Sequence, residues 1–155
     1  LRQNLDTLGE SELIPVDKEL QHIYVYSEIE MTRFPQISLR YDIEDNSFSV
    51  PPLSIQPLVE NAIRHGICKR LGSTGTIRLA TNETDHAWTI RITDDGVGFD
   101  TSVLSDDAKA GHIGIMNVRA RLKILCGGDL MITSTPGRGT CCEITLPKDA
   151  KGVSE

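Results

Sequence analysis

The stretch Pro-Leu-Val-Glu-Asn-Ala-Ile-Arg-His-Gly at residues 57–66 decides how this chain folds, because apolar and polar side chains separate cleanly at helical spacing. With about 100° per residue, one side of the helix is apolar and is predicted to pack on a sheet. The other side carries Glu60, Asn61, Arg64 and His65. This polar side is either a solvated helix surface or a site for an anionic ligand with a metal ion, and periodicity alone leaves both readings open.

A second informative stretch is Asp-Asp-Gly-Val-Gly-Phe at residues 94–99, where an alternating segment runs into glycines. Asp95 is expected to accept a hydrogen bond from the exocyclic amino group of a base. Gly96 and Gly98, on either side of Val97, allow the backbone to approach a flat ring closely. The same residues also fit an ordinary Asp-Gly turn, and this alternative stays open.

Two further stretches complete the series. Gly-His-Ile-Gly at residues 111–114 precedes a predicted helix, whose first amide groups are suited to cradling a phosphate. Pro-Gly-Arg-Gly-Thr at residues 136–140 places Thr140 at the start of the last strand, where it is either structural or lies behind a base. In this order, the four stretches together indicate one pocket for a purine triphosphate and its metal.

Size and charge narrow the classes of function. The chain has 155 residues, 39% hydrophobic and 25% charged, which is typical of one globular domain. The net charge of −6 argues against a nucleic-acid partner and against a polybasic membrane surface. No apolar run approaches the roughly 20 residues that span a bilayer. Because the chain begins at Leu1 without Met, it is expected to be a fragment of a longer protein.

The four cysteines are predicted to be free thiols in a reducing cytoplasm. No Cys-x-x-Cys pair exists, so neither a zinc site nor a disulfide framework is expected. The four are Cys68, Cys126, Cys141 and Cys142.

Hydrophobic periodicity predicts a two-layer α/β sandwich, with a mixed, mostly antiparallel sheet covered on one face by helices. Asp17 is predicted to cap the first helix, and Gly66 to end the second. A long mobile loop is expected over residues 94–110. The predicted helices are residues 17–34, 54–65 and 113–126, and the predicted strands are 37–43, 77–81, 88–93, 130–134 and 140–146.

Taken together, the motifs resemble the Bergerat-type ATP-binding domain shared by sensor histidine kinases, gyrase-type topoisomerases, heat-shock-90 chaperones and mismatch-repair ATPases. Residues 57–66 look like the N box, 95–98 the first glycine box, and 111–115 the second. The match is closest to the autolysin-regulator (LytS/YesM-like) class of bacterial sensor kinases. Residues 56–66, 114–122 and 29–34 (Ile-Glu-Met-Thr-Arg-Phe) carry it. The resemblance covers about residues 16–147.

The resemblance implies a role for each motif residue. Asn61 would bind Mg²⁺, Glu60 would orient a magnesium-bound water, and Asp95 would read the adenine amino group. Arg64 and His65 would face the phosphates, and Thr140 would lie behind the base. The remaining implied nucleotide contacts are Gly96, Val97, Gly98, Gly111, Gly114 and Ile115. The loop from residue 99 to residue 111 would be the ATP lid.

The resemblance also implies how the domain is used. The domain would donate the γ-phosphoryl of Mg-ATP to a histidine on a helix upstream of Leu1, for relay to a response regulator. None of the four histidines in the chain fits that acceptor. Residues 1–34 would be a tail and connecting helix, 35–148 the ATP-binding domain, and 149–155 a disordered tail. The full protein would be a homodimer, with this part on the cytoplasmic side of a membrane-anchored sensor.

One departure and two rival functions qualify the resemblance. Many relatives have Gly-x-Gly in the second glycine box, whereas this chain has His112-Ile113-Gly114 after Gly111, which puts the hinge of the lid in doubt. A degenerate kinase would bind nucleotide only to set conformation. An ATP-hydrolysing clamp would place an acidic base one turn before the metal Asn, where this chain has Pro57.

Overall fold

A computed structural model describes residues 13–105 and 112–148. The predicted tail at 149–155 and most of the predicted tail before Val16 lie outside the described residues. The strands are β1 Ile14–Pro15, β2 Ile37–Ile43, β3 Ser49–Val50, β4 Gly75–Glu83, β5 Ala87–Asp94, β6 Asp129–Thr135 and β7 Gly139–Pro147. The helices are α1 Val16–Arg33, α2 Gln56–Asn61 and α3 Ile113–Cys126.

The main sheet has five strands in the order β2-β4-β5-β7-β6. β2 and β4 run parallel, with Ile37 opposite Gly75, and the other three pairs are antiparallel. The short strands β1 and β3 form a separate antiparallel pair. The predicted mixed, mostly antiparallel sheet is therefore confirmed, while the small β1–β3 pair has no counterpart in the sequence-based prediction.

The two faces of the sheet differ, as the alternation predicts. Ile77, Leu79, Ile90 and Ile144 belong to the core cluster, together with Leu58 of α2, Leu122 of α3 and Ile23 of α1. The opposite face is polar and carries cross-strand ion pairs between Arg78 and Asp42 and between Arg91 and Glu143. Helices cover one face only, which makes the domain a two-layer α/β sandwich. No helix among the described residues is both long and apolar enough to span a membrane.

The start of α1 differs from the sequence-based prediction. Asp17 does not cap the helix: Pro15 occupies the N-cap position with φ −57°, and no side chain caps the first turn. The Val16 amide instead donates to the carbonyl of Phe48 at 2.9 Å. Asp17 lies one residue further in and accepts a hydrogen bond from Asn46 Nδ2 at 3.0 Å. A tertiary contact therefore replaces the local cap.

The predicted stop at Gly66 is also wrong. The chain continues from α2 into a wider π-helical turn, Ala62–Gly66, and then a 3₁₀ turn, Ile67–Lys69. Gly66 has φ −97°, so it does not adopt the left-handed conformation that ends helices. Gly127 does adopt it, with φ 69°, and it ends α3 as predicted. All four cysteines lie in the part of the chain that the structure describes, and no disulfide joins them there.

Candidate functional site

The polar side of α2 faces a cleft of about 290 Å³ that separates it from the start of α3. Leu58, Val59, Ala62 and Ile63 are buried beneath it, so the predicted division of the helix is confirmed. The cleft brings together six of the predicted site residues. They are Glu60, Asn61, Arg64, His65, Gly114 and Ile115.

Asn61 is the most unusual residue of the cleft. It is only 8% exposed, and its Oδ1 atom is buried without a hydrogen-bond partner in the described part of the chain. Burial of an unpaired amide oxygen costs about 1–3 kcal/mol unless a ligand satisfies it. A hard cation such as Mg²⁺ prefers this kind of oxygen. The residue therefore fits the metal role that the resemblance implies.

The part of the chain that the structure describes contains no cluster of acidic, His or Cys metal ligands. Within residues 13–105 and 112–148, no group of three His, Cys, Asp or Glu side chains could hold a metal ion. Mg²⁺ keeps several of its waters and commonly takes one or two protein oxygens together with substrate phosphates. A single amide oxygen beside a phosphate site is therefore a sufficient protein contribution.

Charged side chains surround Asn61. Glu60, one residue before it, is half-buried and accepts a hydrogen bond from Gln56 Nε2 at 3.1 Å. Arg64 is exposed, and the neighbouring Tyr26 of α1 raises the pKa of its guanidinium, with Glu30 and Glu60 adding to the effect. Arg64 is thus held fully charged at the edge of the cleft, where it can attract phosphate oxygens.

Two histidines face each other at the cleft. The ring centroids of His65 and His112 are 6.0 Å apart, and the ring of Phe99 lies 4.3 Å from that of His112. Burial lowers the pKa of both histidines, and the charges of Lys69 and Arg64 lower the pKa of His65 further. Sequence reasoning gave His112 no firm role, because its position immediately before α3 does not reveal which way the ring points.

The two aspartates at the end of β5 lie in different surroundings. Asp94 is 7% exposed, and its Oδ1 accepts a hydrogen bond from the Gly96 amide at 2.8 Å. Burial raises the pKa of this carboxyl to about 6. The Asp95 side chain is 56% exposed, accepts a hydrogen bond from the Thr76 amide at 2.9 Å, and lies 3.6 Å from Arg70.

Asp94, not Asp95, therefore offers a buried carboxylate at this turn. Successive residues of a strand point to opposite faces, so a one-residue error in assignment exchanges an inward side chain for an outward one. Asp95 lines a more open hollow of about 620 Å³ together with Lys69, Arg70 and Arg138. Sequence reasoning missed Asp94, although it stands first in the same Asp-Asp-Gly motif.

The first glycine box packs directly against the end of the α2 segment. The Val97 amide donates to the Gly66 carbonyl at 3.1 Å. A Cβ atom on Gly96 would collide with the Gly66 backbone, and one on Gly98, where φ is 66°, would collide with the Thr135 carbonyl. Close approach to the protein's own backbone therefore requires these glycines, and their predicted approach to a flat ring stays a prediction.

Thr140 and the second glycine box complete the surroundings. Thr140 is 5% exposed, pairs with Asp94 across the sheet, and has its Oγ1 2.8 Å from Ser134 Oγ. A Cβ atom on Gly114 would meet no atom within 4 Å, so the first turn of α3 is open to a ligand. Gly111 and the second half of the predicted lid, residues 106–111, lie outside the described residues.

Comparison with known proteins places the chain in a family. Residues 53–150 match the family described as histidine kinase-, DNA gyrase B- and HSP90-like ATPase. The chain is 35% identical to the sensor protein LytS of Oceanobacillus iheyensis over 95% of its length, and 37% identical to the sensor histidine kinase YpdA of Escherichia coli over 85%. The chain spans only 27% and 24% of those two proteins, and 54% of YwpD of Bacillus subtilis, to which it is 40% identical.

Solved structures agree on the fold. The histidine kinase AdeS of Acinetobacter baumannii superimposes with a TM-score of 0.69 at 16% identity, covering 95% of this chain and 76% of AdeS. The catalytic domain of histidine kinase ThkA gives 0.69 at 15% identity, covering 88% of this chain and 97% of that domain. With the family match over residues 53–150, the chain belongs to the histidine kinase-, DNA gyrase B- and HSP90-like ATPase family.

Proposed function

We propose that this chain is the ATP-binding catalytic part of a two-component sensor histidine kinase, and that Mg-ATP binds in the cleft between α2 and α3. The observation that carries the proposal is the buried Oδ1 of Asn61, which has no hydrogen-bond partner among the described residues and lies in a cleft that also presents Arg64 and His65. We take residues 35–148 as the ATP-binding domain and residues 1–34 as the part that leads to it.

The triphosphate end of the site rests on α2 and α3. When bound, Mg²⁺ would neutralise phosphate charge, with Asn61 as its protein ligand and Glu60 placed to orient a water of its shell. Arg64 adds positive charge at the cleft edge, and the open first turn of α3 at Gly114 offers backbone amides. His65 and His112 supply hydrogen-bond donors while neutral. Phosphoryl transfer depends mainly on such positioning and charge neutralisation.

The base end of the site rests on β5 and its glycine turn. Asp94 is the buried acceptor that we assign to the exocyclic amino group of adenine, in place of Asp95. Gly96 and Gly98 allow the backbone to lie against the ring, and Thr140 lies beside Asp94 on β7. A buried carboxylate that accepts a hydrogen bond from the 6-amino group favours adenine over guanine, because guanine carries a carbonyl oxygen at the 6-position.

The acceptor and partners lie outside the chain. We propose that the phosphoryl group passes to a histidine of a longer protein, which acts as a homodimer and carries a membrane anchor, and then to a response regulator. The structural relative ThkA has been solved in complex with a response regulator protein, TrrA, with a TM-score of 0.69 to this chain over 90% of its length. An ATP-hydrolysing clamp is disfavoured, since Pro57 lines the cleft at the position where the acidic side chain that serves as general base would stand.

Phosphorylation in two parts tests the proposal. The chain is mixed with radiolabelled Mg-ATP, alone and with a separately supplied acceptor-helix segment from a kinase of this class. We expect no labelling of the chain itself. The segment should be labelled slowly, because it is not tethered to the chain and so lacks the high effective concentration that tethering supplies. A chain that binds Mg-ATP but labels no acceptor would favour the degenerate-kinase alternative. Phosphohistidine on His22, His65, His86 or His112 would show that the acceptor lies inside the chain.

A further inference from the structure

A buried carboxylate holds the beginning of the helix that carries Asn61. Glu19, on α1, is 1% exposed. Its Oε1 accepts a hydrogen bond from the Ser54 amide at 3.2 Å, and its Oε2 accepts from the Ile55 amide at 2.8 Å and the Gln56 amide at 3.1 Å. These are amides that a helix N-terminus leaves unpaired. Glu19 therefore caps α2 from a different helix.

An arginine from the third helix holds the residues immediately before. Arg121 of α3 donates through Nη1 to the Leu53 carbonyl at 3.1 Å and through Nη2 to the Pro52 carbonyl. Burial raises the pKa of Glu19 overall, while the backbone hydrogen bonds it accepts and, to a smaller extent, the positive charge of Arg121 lower it. In residues 52–56, the first two carbonyl groups are thus hydrogen-bonded to α3, and the last three amide groups are hydrogen-bonded to α1. We call Glu19, Arg121 and residues 52–56 the α2 clamp.

The backbone inside the α2 clamp is strained. Leu53 has φ 62°, one of two positive φ values among the described residues other than glycine, and its side chain is 53% exposed. A bulky residue in the left-handed region is unfavourable and persists only where its surroundings hold it. The side chain gains little burial there in return, so the hydrogen bonds that Glu19 accepts from residues 54–56 and that Arg121 donates to Pro52 and Leu53 maintain this conformation.

The clamp lies close to the residues of the cleft. Asn61 is five residues beyond Gln56, about 7.5 Å along the helix, and Gly114 is seven residues before Arg121, about 10.5 Å along α3. α1 also lies beside the other end of the α2 segment, where Tyr26 and then the buried Glu30 raise the pKa of the Arg64 guanidinium. Contacts with α1 and α3 therefore flank the segment that carries Asn61.

We propose that Glu19 and Arg121 are positioning residues: they fix Asn61 relative to the first turn of α3, and they link the nucleotide cleft to α1. This inference rests on the proposed function, because it assigns the clamp to magnesium-nucleotide binding. A neutral amide of similar size could accept through only one of its terminal atoms, whereas the carboxylate of Glu19 accepts through both oxygens. The charge is useful here because Glu19 and Arg121 carry opposite charges on the two sides of residues 52–56. Together they fix how α1, α2 and α3 are aligned with one another.

Variants at the clamp test this, with Mg-ATP, magnesium-free ATP and adenosine as ligands in calorimetry on the folded chain well below its unfolding temperature. Glu19→Gln and Arg121→Gln should weaken Mg-ATP at least about fivefold and leave adenosine unchanged, since the base end is not moved. The double variant should be less than additive. Arg119→Gln is the matched control on α3, because Arg119 donates twice to the Leu130 carbonyl of β6, at 3.0 and 2.9 Å.

The outcomes separate the two proposals. If Arg121→Gln and Arg119→Gln lower the unfolding temperature alike and both bind Mg-ATP as the wild type does, the clamp is structural only and the inference is wrong. Should Glu19→Gln fail to fold, Arg121→Gln and the milder Arg121→Lys still decide the question. Wild-type chain that binds no Mg-ATP would instead overturn the proposed function.

Discussion

The carboxylate of Asp94 lies against the α-carbon of Gly66, so close that a Cβ atom on Gly66 would be 2.7 Å from Asp94 Oδ1. This contact joins the end of the α2 segment to the end of β5. It also explains why a glycine stands at a position where the backbone itself, with φ −97°, does not require one. The N-box helix and the first glycine box are therefore one packed unit.

Gly66→Ala should damage this unit. The new methyl group would have to displace the Asp94 carboxylate, and overpacking of this kind costs typically about 1–3 kcal/mol. We expect a corresponding loss in the free energy of unfolding, measured by urea denaturation, together with weaker ATP binding. Gly114→Ala is the control, because its Cβ would meet open space and alanine favours a helix by roughly 0.5–1 kcal/mol. Equal stability of the two variants would contradict the packing argument.

Asp94→Asn and Asp95→Asn form a matched pair that decides which aspartate reads the base. Asp94→Asn presents an amide donor to the adenine amino group and should cost about 1–3 kcal/mol in ATP affinity, or roughly 5- to 150-fold. Inorganic triphosphate should bind the variant as it binds the wild type. Asp95→Asn should change ATP affinity less than twofold, since its carboxylate is exposed and engaged with Thr76 and Arg70. The reverse result would restore the sequence-based assignment of Asp95.

Adenosine binding should depend on pH through Asp94. Burial raises the pKa of Asp94 to about 6, so its carboxyl accepts a proton as the pH falls through that value and loses acceptor capacity. We expect adenosine affinity to fall about tenfold between pH 7 and pH 5. Adenosine is the right probe because His65 and His112, whose pKa values are lowered by burial, become charged at low pH and would attract phosphates.

The same titration has the opposite sign for the stability of the unliganded fold. The raised pKa of Asp94 means that the folded state binds its proton more tightly than the unfolded state. Its contribution to stability is present below the unfolded value near 3.9 and is lost as the pH rises through about 6. Asp94→Asn should remove this pH-dependent contribution to stability. It should also make adenosine binding independent of pH over the same range. A persistent pH dependence in that variant would assign the effect to another group.

Local patterns predicted the elements of the fold well. Strict alternation identified Ile37–Ile43 with the bounds that the structure shows, and the paired glycines after α3 marked its end, where Gly127 adopts φ 69°. These features are decided by residues near in sequence. The parallel pairing of β2 with β4 joins segments separated by a helix and several turns, and no short-range pattern specifies it.

The sequence was less informative where tertiary contacts decide what a side chain does. The sequence neighbours of Glu19 are those of an ordinary exposed acidic residue on a helix. It is nevertheless buried, because the amide groups at the N-terminus of α2 need a hydrogen-bond acceptor. Asp94 and Asp95 are adjacent and chemically identical, so only the position of the turn relative to Thr76 and Thr140 distinguishes them. The N-box residues were identifiable because an amphipathic helix places them together whatever lies opposite.

Asn61→Asp tests the metal site. Asn61 is 8% exposed, and its Oδ1 has no hydrogen-bond partner within residues 13–105 and 112–148, so a carboxylate there would be an unpaired buried charge in the absence of metal. We expect the unliganded variant to unfold at a lower temperature, and Mg²⁺ to restore more stability to it than to the wild type. Magnesium-free ATP should bind more weakly, because the new charge repels the phosphates.

Asn82→Asp, on an exposed part of β4, is the control and should leave all three measurements unchanged. Calorimetry with and without Mg²⁺ measures the affinities, and an Asn61→Asp variant whose Mg-ATP affinity and magnesium dependence match the wild type would remove Asn61 from the site.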